Sequence, residues 1–314
     1  MAIFLNILFL ILGFFFLAKG ADFFVDGASS IAKRFKIPQL VIGLTIVAMG
    51  TSMPEAAVSI KAAISGNADI SIGNVVGSNI LNILIILGVS SVIFPLIVKK
   101  QTLKVDIPIV IGASTVLFLL GLLGVVSWWG GLIMLLGFGI YLTYLFIGAK
   151  KNKDEDDETQ IKDMPIWKSI IFVILGIALI IFGSEFAVET ATNLAKMAGW
   201  SDAFIGLTIV ALGTSLPELF TSVMAAIKKN PDIAIGNVVG SNIFNILFIL
   251  GITSLIIPIN FAPSFLIDTI ISLACAVLLL VLSLKGKKLQ RWGGAIMLLG
   301  YAGYFVYLYV TQIQ

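Results

Sequence analysis

Histidine is absent from the 314 residues, cysteine occurs once as Cys275, and charged residues make up only 12% of the chain. Without imidazole there is no histidine-based acid or base and no histidine-ligated metal. A lone thiol excludes an intrachain disulfide and a thiolate cluster, which leaves Cys275 as a small apolar side chain. Hydrophobic residues are 59% of the chain and its mean hydropathy is +1.09, whereas soluble domains carry about 25% charge. The chain is therefore an all-α polytopic membrane protein whose standing partner is the lipid bilayer. A net charge of +3 offers nothing to a nucleic acid. With no nucleophilic cysteine and no metalloprotease motif, neither an enzyme nor a bound cofactor is expected, and only oxygen ligands remain for chemistry. The apolar N-terminal stretch has no basic n-region or small-residue cleavage site, so the N-terminus is expected to be retained.

Windows of about 20 apolar residues predict ten spans, at 3–27, 38–64, 71–96, 105–125, 129–148, 166–190, 201–227, 234–257, 264–284 and 291–311. The text then repeats itself at an offset of 163 residues: Gly13 with Gly176, Gly20 with Gly183, Asp22 with Glu185, Ile42–Ser52 with Ile205–Ser215, and Trp129-Gly130-Gly131 with Trp292-Gly293-Gly294. The expected organisation is a first five-helix half over 1–149, a short charged linker over 150–163 and a second half over 164–314. An odd number of spans per half makes the second enter the membrane from the opposite side, giving an inverted repeat.

Of the 20 basic residues, all but Lys19, Lys61 and Lys196 fall in the loops that become cytoplasmic if both termini lie outside, which is the orientation the positive-inside rule selects. Lys19 reads as a local ion pair with Asp22 or as a snorkelling side chain. The acidic run Asp154 to Glu158 lacks the glycine and alternating ligands of a calcium loop and reads as solvated linker. Trp129 and Trp292 open their spans as interfacial anchors.

The costly residues sit inside the spans. Thr51-Ser52-Met53-Pro54-Glu55 returns as Thr214-Ser215-Leu216-Pro217-Glu218, and an ionisable group at membrane depth is a functional-site hypothesis by default. Pro54 and Pro217 cannot donate to the carbonyls of Gly50 and Gly213, so each helix must break. Freed carbonyls at Ala48 to Thr51 and Ala211 to Thr214 are natural cation ligands, tolerated only where they line protein or a cavity. Thr51 and Glu55 share a helical face, as do Thr214 and Glu218. In the third span Asn74, Ser78 and Asn82 form a polar stripe, repeated in the eighth by Asn237, Ser241 and Asn245. Of these, Ser78, Asn82, Ser241 and Asn245 are read as ligands, while Gly73, Gly77, Asn79, Gly236, Gly240 and Asn242 are read as packing devices.

These paired segments, Gly50–Glu55 with Gly73–Asn82 and Gly213–Glu218 with Gly236–Asn245, resemble the two alpha repeats of sodium/calcium exchangers in the calcium/cation antiporter superfamily. The short linker is similar to that of prokaryotic members. The resemblance covers the whole chain and implies ten helices in two inverted repeats around four central cation sites, one for calcium and the others for sodium. By position it implies that Glu55 and Glu218, with the carbonyls and hydroxyls of Thr51 and Thr214, hold calcium. Sodium would use these with Ala48, Ser52, Ser78, Ala211, Ser215 and Ser241, while Asn82 and Asn245 line the middle. Several members, the potassium-dependent ones among them, have Asp at the position of Asn245, so the resemblance implies exchange without potassium. It also implies movement of the first and sixth spans during alternating access. From the residues alone, calcium/proton exchange and a cation channel stay open, because protons and other cations compete for the same oxygens. The oligomeric state is open too, a monomer being compatible with the sequence.

Overall fold

Proline and glycine punctuate a chain that otherwise has little reason to stop being helical. The computed structural model describes residues 2–151, 164–199, 209 and 211–312, and most of the 150–163 linker and the start of the span expected over 201–227 lie outside these. Helix α1 (Ala2–Phe35) ends before Lys36, whose left-handed φ of 52° closes it. After Pro38 comes α2 (Gln39–Thr51), then a break at Ser52, then α3 (Met53–Ile64), the two inclined by 48°. There follow α4 (Asp69–Ile93), α5 (Thr102–Gly121), α6 (Trp128–Lys151) and α7 (Ile166–Met197). The second half continues with α8 (Ala211–Thr214), α9 (Leu216–Ile227), α10 (Pro231–Ile256), α11 (Pro263–Leu284) and α12 (Arg291–Gln312).

Among the described residues, eight helices are long and apolar enough to cross a membrane, and the bent α2–α3 pair makes a ninth span. The protein is a multi-pass membrane protein. Two short antiparallel pairs interrupt the helical pattern: β1 (Leu96–Ile97) with β4 (Lys288–Leu289), and β2 (Val125–Val126) with β3 (Ile259–Asn260). Each ties one half of the chain to the other, and each is the other's counterpart at the 163-residue offset.

The innermost helices are those that carry the repeated motifs. Along α10 nearly every residue is buried, whereas α1, α6 and α12 are largely exposed on the side that meets lipid. Helices α1 and α7 pack against each other along glycines: a Cβ on Gly20 would stand 2.8 Å from the Gly176 carbonyl oxygen, and one on Gly176 would stand 2.8 Å from that of Gly20. The backbones touch because neither residue has a side chain. Both helices outrun their expected ends at 27 and 190. On α1 the acids near the expected end, Asp22 and Asp26, are paired with Lys228, and the helix runs on through the polar last turn that carries Lys33 and Arg34. Trp129 and Trp292 are exposed in the first turns of α6 and α12, and Cys275 is buried.

Two readings of the sequence need correction. Asp22 pairs with Lys228 of the other half, 2.6 Å away, and not with Lys19, whose exposed side chain on α1 leaves snorkelling as its reading. The offset also slips to 162 in the segment containing α5 and α11, where Gly124 and Gly286 occupy matching left-handed turns with φ of 77° and 72°. A one-residue shift in the loop before α5 accounts for it, since loops absorb such changes without disturbing the packed helices.

Candidate cation site at two helix breaks

At each break the chain runs Thr-Ser-x-Pro-Glu, and the proline sits in the first turn of the new helix, where its missing N–H costs nothing. Glu55 and Glu218 therefore fall in the first turns of α3 and α9, both fully buried, at helix ends that favour negative charge. A π-turn, Gly43–Val47, precedes the first break, and two more, Asn82–Leu87 and Phe244–Leu250, begin at or beside the expected central asparagines. Such bulges are frequent at functional sites.

The hydroxyls cross between halves. Ser52 Oγ donates to Glu218 Oε1 at 2.7 Å and lies 2.9 Å from Ser241 Oγ, while Ser215 Oγ donates to Glu55 Oε1 at 3.2 Å. Ser78 lies beside Glu55, and the two carboxylates are close enough to act on one another. Thr51 Oγ1 is shared between Asn237 Oδ1 at 3.0 Å and the Ala48 carbonyl at 3.2 Å, and Ser241 Oγ reaches that same carbonyl at 3.3 Å. The structure thus gathers Ala48, Thr51, Ser52, Glu55, Ser78, Ser215, Glu218 and Ser241 around one centre. Ala211 opens α8, which Thr214 closes.

The asparagines form a second layer. Asn74 Nδ2 donates to the Glu55 carbonyl (3.1 Å) and Ser59 Oγ (2.9 Å); Asn237 Nδ2 donates to the Glu218 carbonyl (3.3 Å) and Ser222 Oγ (2.8 Å). Each braces the backbone that carries a buried glutamate. Asn82 Nδ2 donates to Asn242 Oδ1 and Asn245 Nδ2 to Asn79 Oδ1, both at 3.1 Å. Asn79 and Asn242, read above as packing residues, thereby fix the amide orientation of the two central asparagines. Their donors being engaged, Asn82 and Asn245 offer their oxygens.

Twelve buried side-chain oxygens have no hydrogen-bond partner among the described residues, and five of them belong to this region: Glu55 Oε2, Glu218 Oε2, Asn82 Oδ1, Asn245 Oδ1 and Thr214 Oγ1. Native structures pair most buried polar atoms, so a group of unpaired acceptors needs an explanation. These five belong to residues expected as ligands, whereas the other seven, on Asp106 and six hydroxyl side chains, do not; among the described residues no ion pair engages either glutamate. The arrangement can surround a hard cation with oxygen.

Asp106 went unread in the sequence. It lies fully buried on α5, where Tyr141 OH donates to its Oδ1 at 3.2 Å, and Tyr304 repeats this with Asp268 at 3.2 Å. A search at a fixed offset passes over the pair, because Asp106 and Asp268 stand 162 apart. A carboxylate within the same span of each half was the available signal.

Comparisons with known proteins agree with this geometry. The family model described as sodium/calcium exchanger protein matches residues 5–147 and again residues 168–310. The putative antiporter CaxA of Alkalimonas amylolytica is 38% identical over 95% of this chain and 96% of its own. The sodium/calcium exchanger MaX1 of Methanosarcina acetivorans is 35% identical over 97% of this chain and 98% of its own. A solved structure of the sodium-calcium exchanger NCX_Mj, soaked with 10 mM Na+ and zero Ca2+, is similar at a TM-score of 0.84 and 34% identity, over 99% of this chain and 100% of that one.

Proposed function

We propose that this chain, which belongs to the sodium/calcium exchanger family, is a secondary antiporter that moves sodium one way and calcium the other through the site between Glu55 and Glu218. Family membership makes it a transporter of cations. The assignment of sodium and calcium to this chain rests on one observation above others, the convergence of unpaired buried oxygens from both halves with two carboxylates among them. Calcium takes six to eight oxygens in flexible geometry, whereas magnesium demands a tight octahedron; two carboxylates balance one divalent ion. Hydroxyls and carbonyls at Ala48, Thr51, Ser52, Ser78, Ala211, Thr214, Ser215 and Ser241 provide neutral oxygens for sodium. Because both ions need the same glutamates, they compete and cross in turn.

The double match of the family model, displaced by 163 residues, and the reciprocal β pairs support ten spans in two inverted halves with a linker at 150–163. In this reading both termini lie outside. Single cysteines replacing Lys287 and Lys61, in a Cys275→Ala background, test the orientation. An impermeant thiol reagent applied to intact cells is expected to label the position at 61 and spare the one at 287; the reverse pattern inverts the topology.

The test of function is sodium-gradient-driven calcium uptake in proteoliposomes. Uptake against a calcium gradient separates an antiporter from a channel, and persistence without a proton gradient separates sodium from proton coupling. Asn245 leaves the centre without a third carboxylate, so replacing potassium by choline is expected to leave the rate unchanged. With three sodium ions per calcium, as in the exchangers this chain resembles, one net charge moves per cycle and the rate should follow an imposed potential. A potential-independent rate under matched gradients would point to an electroneutral stoichiometry.

A further inference from the structure

The two halves carry acids at equivalent places, but the lysines that pair with these acids among the described residues lie at one end of the molecule. Asp22 and Asp26 on α1 correspond to Glu185 and Glu189 on α7, and Asp232 in the first turn of α10 corresponds to Asp69 in the first turn of α4. At the end formed by the α9–α10 turn these acids are paired across the halves. Lys228, just past α9, places its ammonium 2.6 Å from Asp22 Oδ1 and 2.8 Å from the Asp22 carbonyl oxygen, and it also bonds Asp26. Lys99, between β1 and α5, lies 2.8 Å from Asp232. At the opposite end the corresponding positions are Ser65 and Ala262. Among the described residues no ion pair engages Glu185, Glu189 or Asp69, and both glutamates are exposed.

We propose that Lys228, with Lys99 as a second clasp, is a one-sided ionic latch that holds the α9–α10 end of the transporter shut while the other end is free to open. It rests on the exchange cycle proposed above. Lys228 is joined through α9 to Glu218, and its partners lie on α1, so the contact closes the seam between a site helix and a peripheral one. Asp26 is only 11% exposed, and withdrawing a bonded ammonium from a carboxylate so poorly solvated is costly. Asp22 and Asp26 are also four apart on one face of α1, where their charges repel unless a cation lies between them. The seam beside the latch is tight. Gly236 and Gly240 of α10 bear on Gly43, Leu44 and Ala48, whereas Gly73 and Gly77, their counterparts on α4, are exposed and half-buried. The latch adds to this inequality between the two ends, and it sets which access state prevails at rest.

Leu44→Cys in a Cys275→Ala background reports opening of the latched seam, because Leu44 is 3% exposed against α10. The measurement is the rate of thiol labelling in purified protein and needs no transported ion, so it stands apart from a failure of exchange. Lys228→Met is expected to raise the labelling rate on the order of tenfold. Lys228→Arg should remain close to the parent, and Lys228→Asp combined with Asp26→Lys should restore slow labelling. An unchanged rate in a monodisperse Lys228→Met protein overturns the latch. If that variant does not fold, Asp26→Asn and Lys99→Met decide in the same assay, each expected to speed labelling and each refuting the proposal if it does not.

Discussion

Glu55→Gln and Glu218→Gln are each expected to abolish sodium-driven calcium flux in protein that remains folded and monodisperse. Each glutamate offers the site one oxygen held by a serine of the other half, Ser215 for Glu55 and Ser52 for Glu218, and one oxygen that is buried without a partner. Glutamine keeps the shape and the held oxygen. It removes one negative charge and turns a donor toward the remaining acceptors, so a divalent ion arrives half-neutralised in a water-poor cavity. Removing one partner of a buried charge pair typically costs about 3–5 kcal/mol, which corresponds to a loss of more than ~100-fold in occupancy at a given calcium concentration. The check is calcium uptake in proteoliposomes, with protein quantity and dispersity measured alongside. Trp129→Phe, exposed at the start of α6, should transport as the parent does. Near-normal flux in either glutamine variant would falsify the assignment of the two glutamates to the cation.

What the sequence disclosed follows from how much each feature costs. A carboxylate in a span, a proline at a helix break and an amide stripe repeated 163 residues later are expensive in lipid, and Glu55, Pro54, Ser78 and Asn82 could be picked out for that reason. Interactions between halves left no such trace. Nothing local in Asp22 announces that its cation is Lys228, 206 residues away, and Lys19 lay nearer in sequence. Asn79 and Asn242 were undervalued for a related reason. Small and polar residues in membrane helices serve both packing and hydrogen bonding, and only the folded pairing, Asn82 with Asn242 and Asn245 with Asn79, shows which amide oxygens remain free. Asp106 was hidden by a one-residue slip, since a comparison at fixed offset sets it against Thr269.

Gly240→Val is expected to reduce transport at least as far as loss of a glutamate, although residue 240 contributes no ligand. A Cβ there would stand 2.6 Å from the Leu44 carbonyl oxygen, 2.7 Å from the Ala48 Cβ and 2.8 Å from the Leu44 Cα. Two of these three atoms are backbone, so the strain cannot be relieved by a side-chain rotation. The helices must part instead. Overpacking of this kind costs about 1–3 kcal/mol in stability, yet the functional loss should exceed it, because the displaced residues are the site's own frame. Ser241, the next residue along α10, reaches both the Ala48 carbonyl and Ser52 Oγ, and Ser52 in turn holds Glu218. Separating α10 from α2 by a few tenths of an ångström lengthens both Ser241 bonds together and loosens the seat of Ser52, which holds Glu218 on α9. Gly139→Ala is the matched control: it lies exposed on α6, where a Cβ meets nothing within 4 Å among the described residues, and alanine suits a helix better than glycine. Calcium uptake and the melting midpoint, measured on both variants, divide the outcomes. A Gly240→Val protein that melts earlier but transports at the parental rate would mean that the α2–α10 contact supports the fold without setting the geometry of the site.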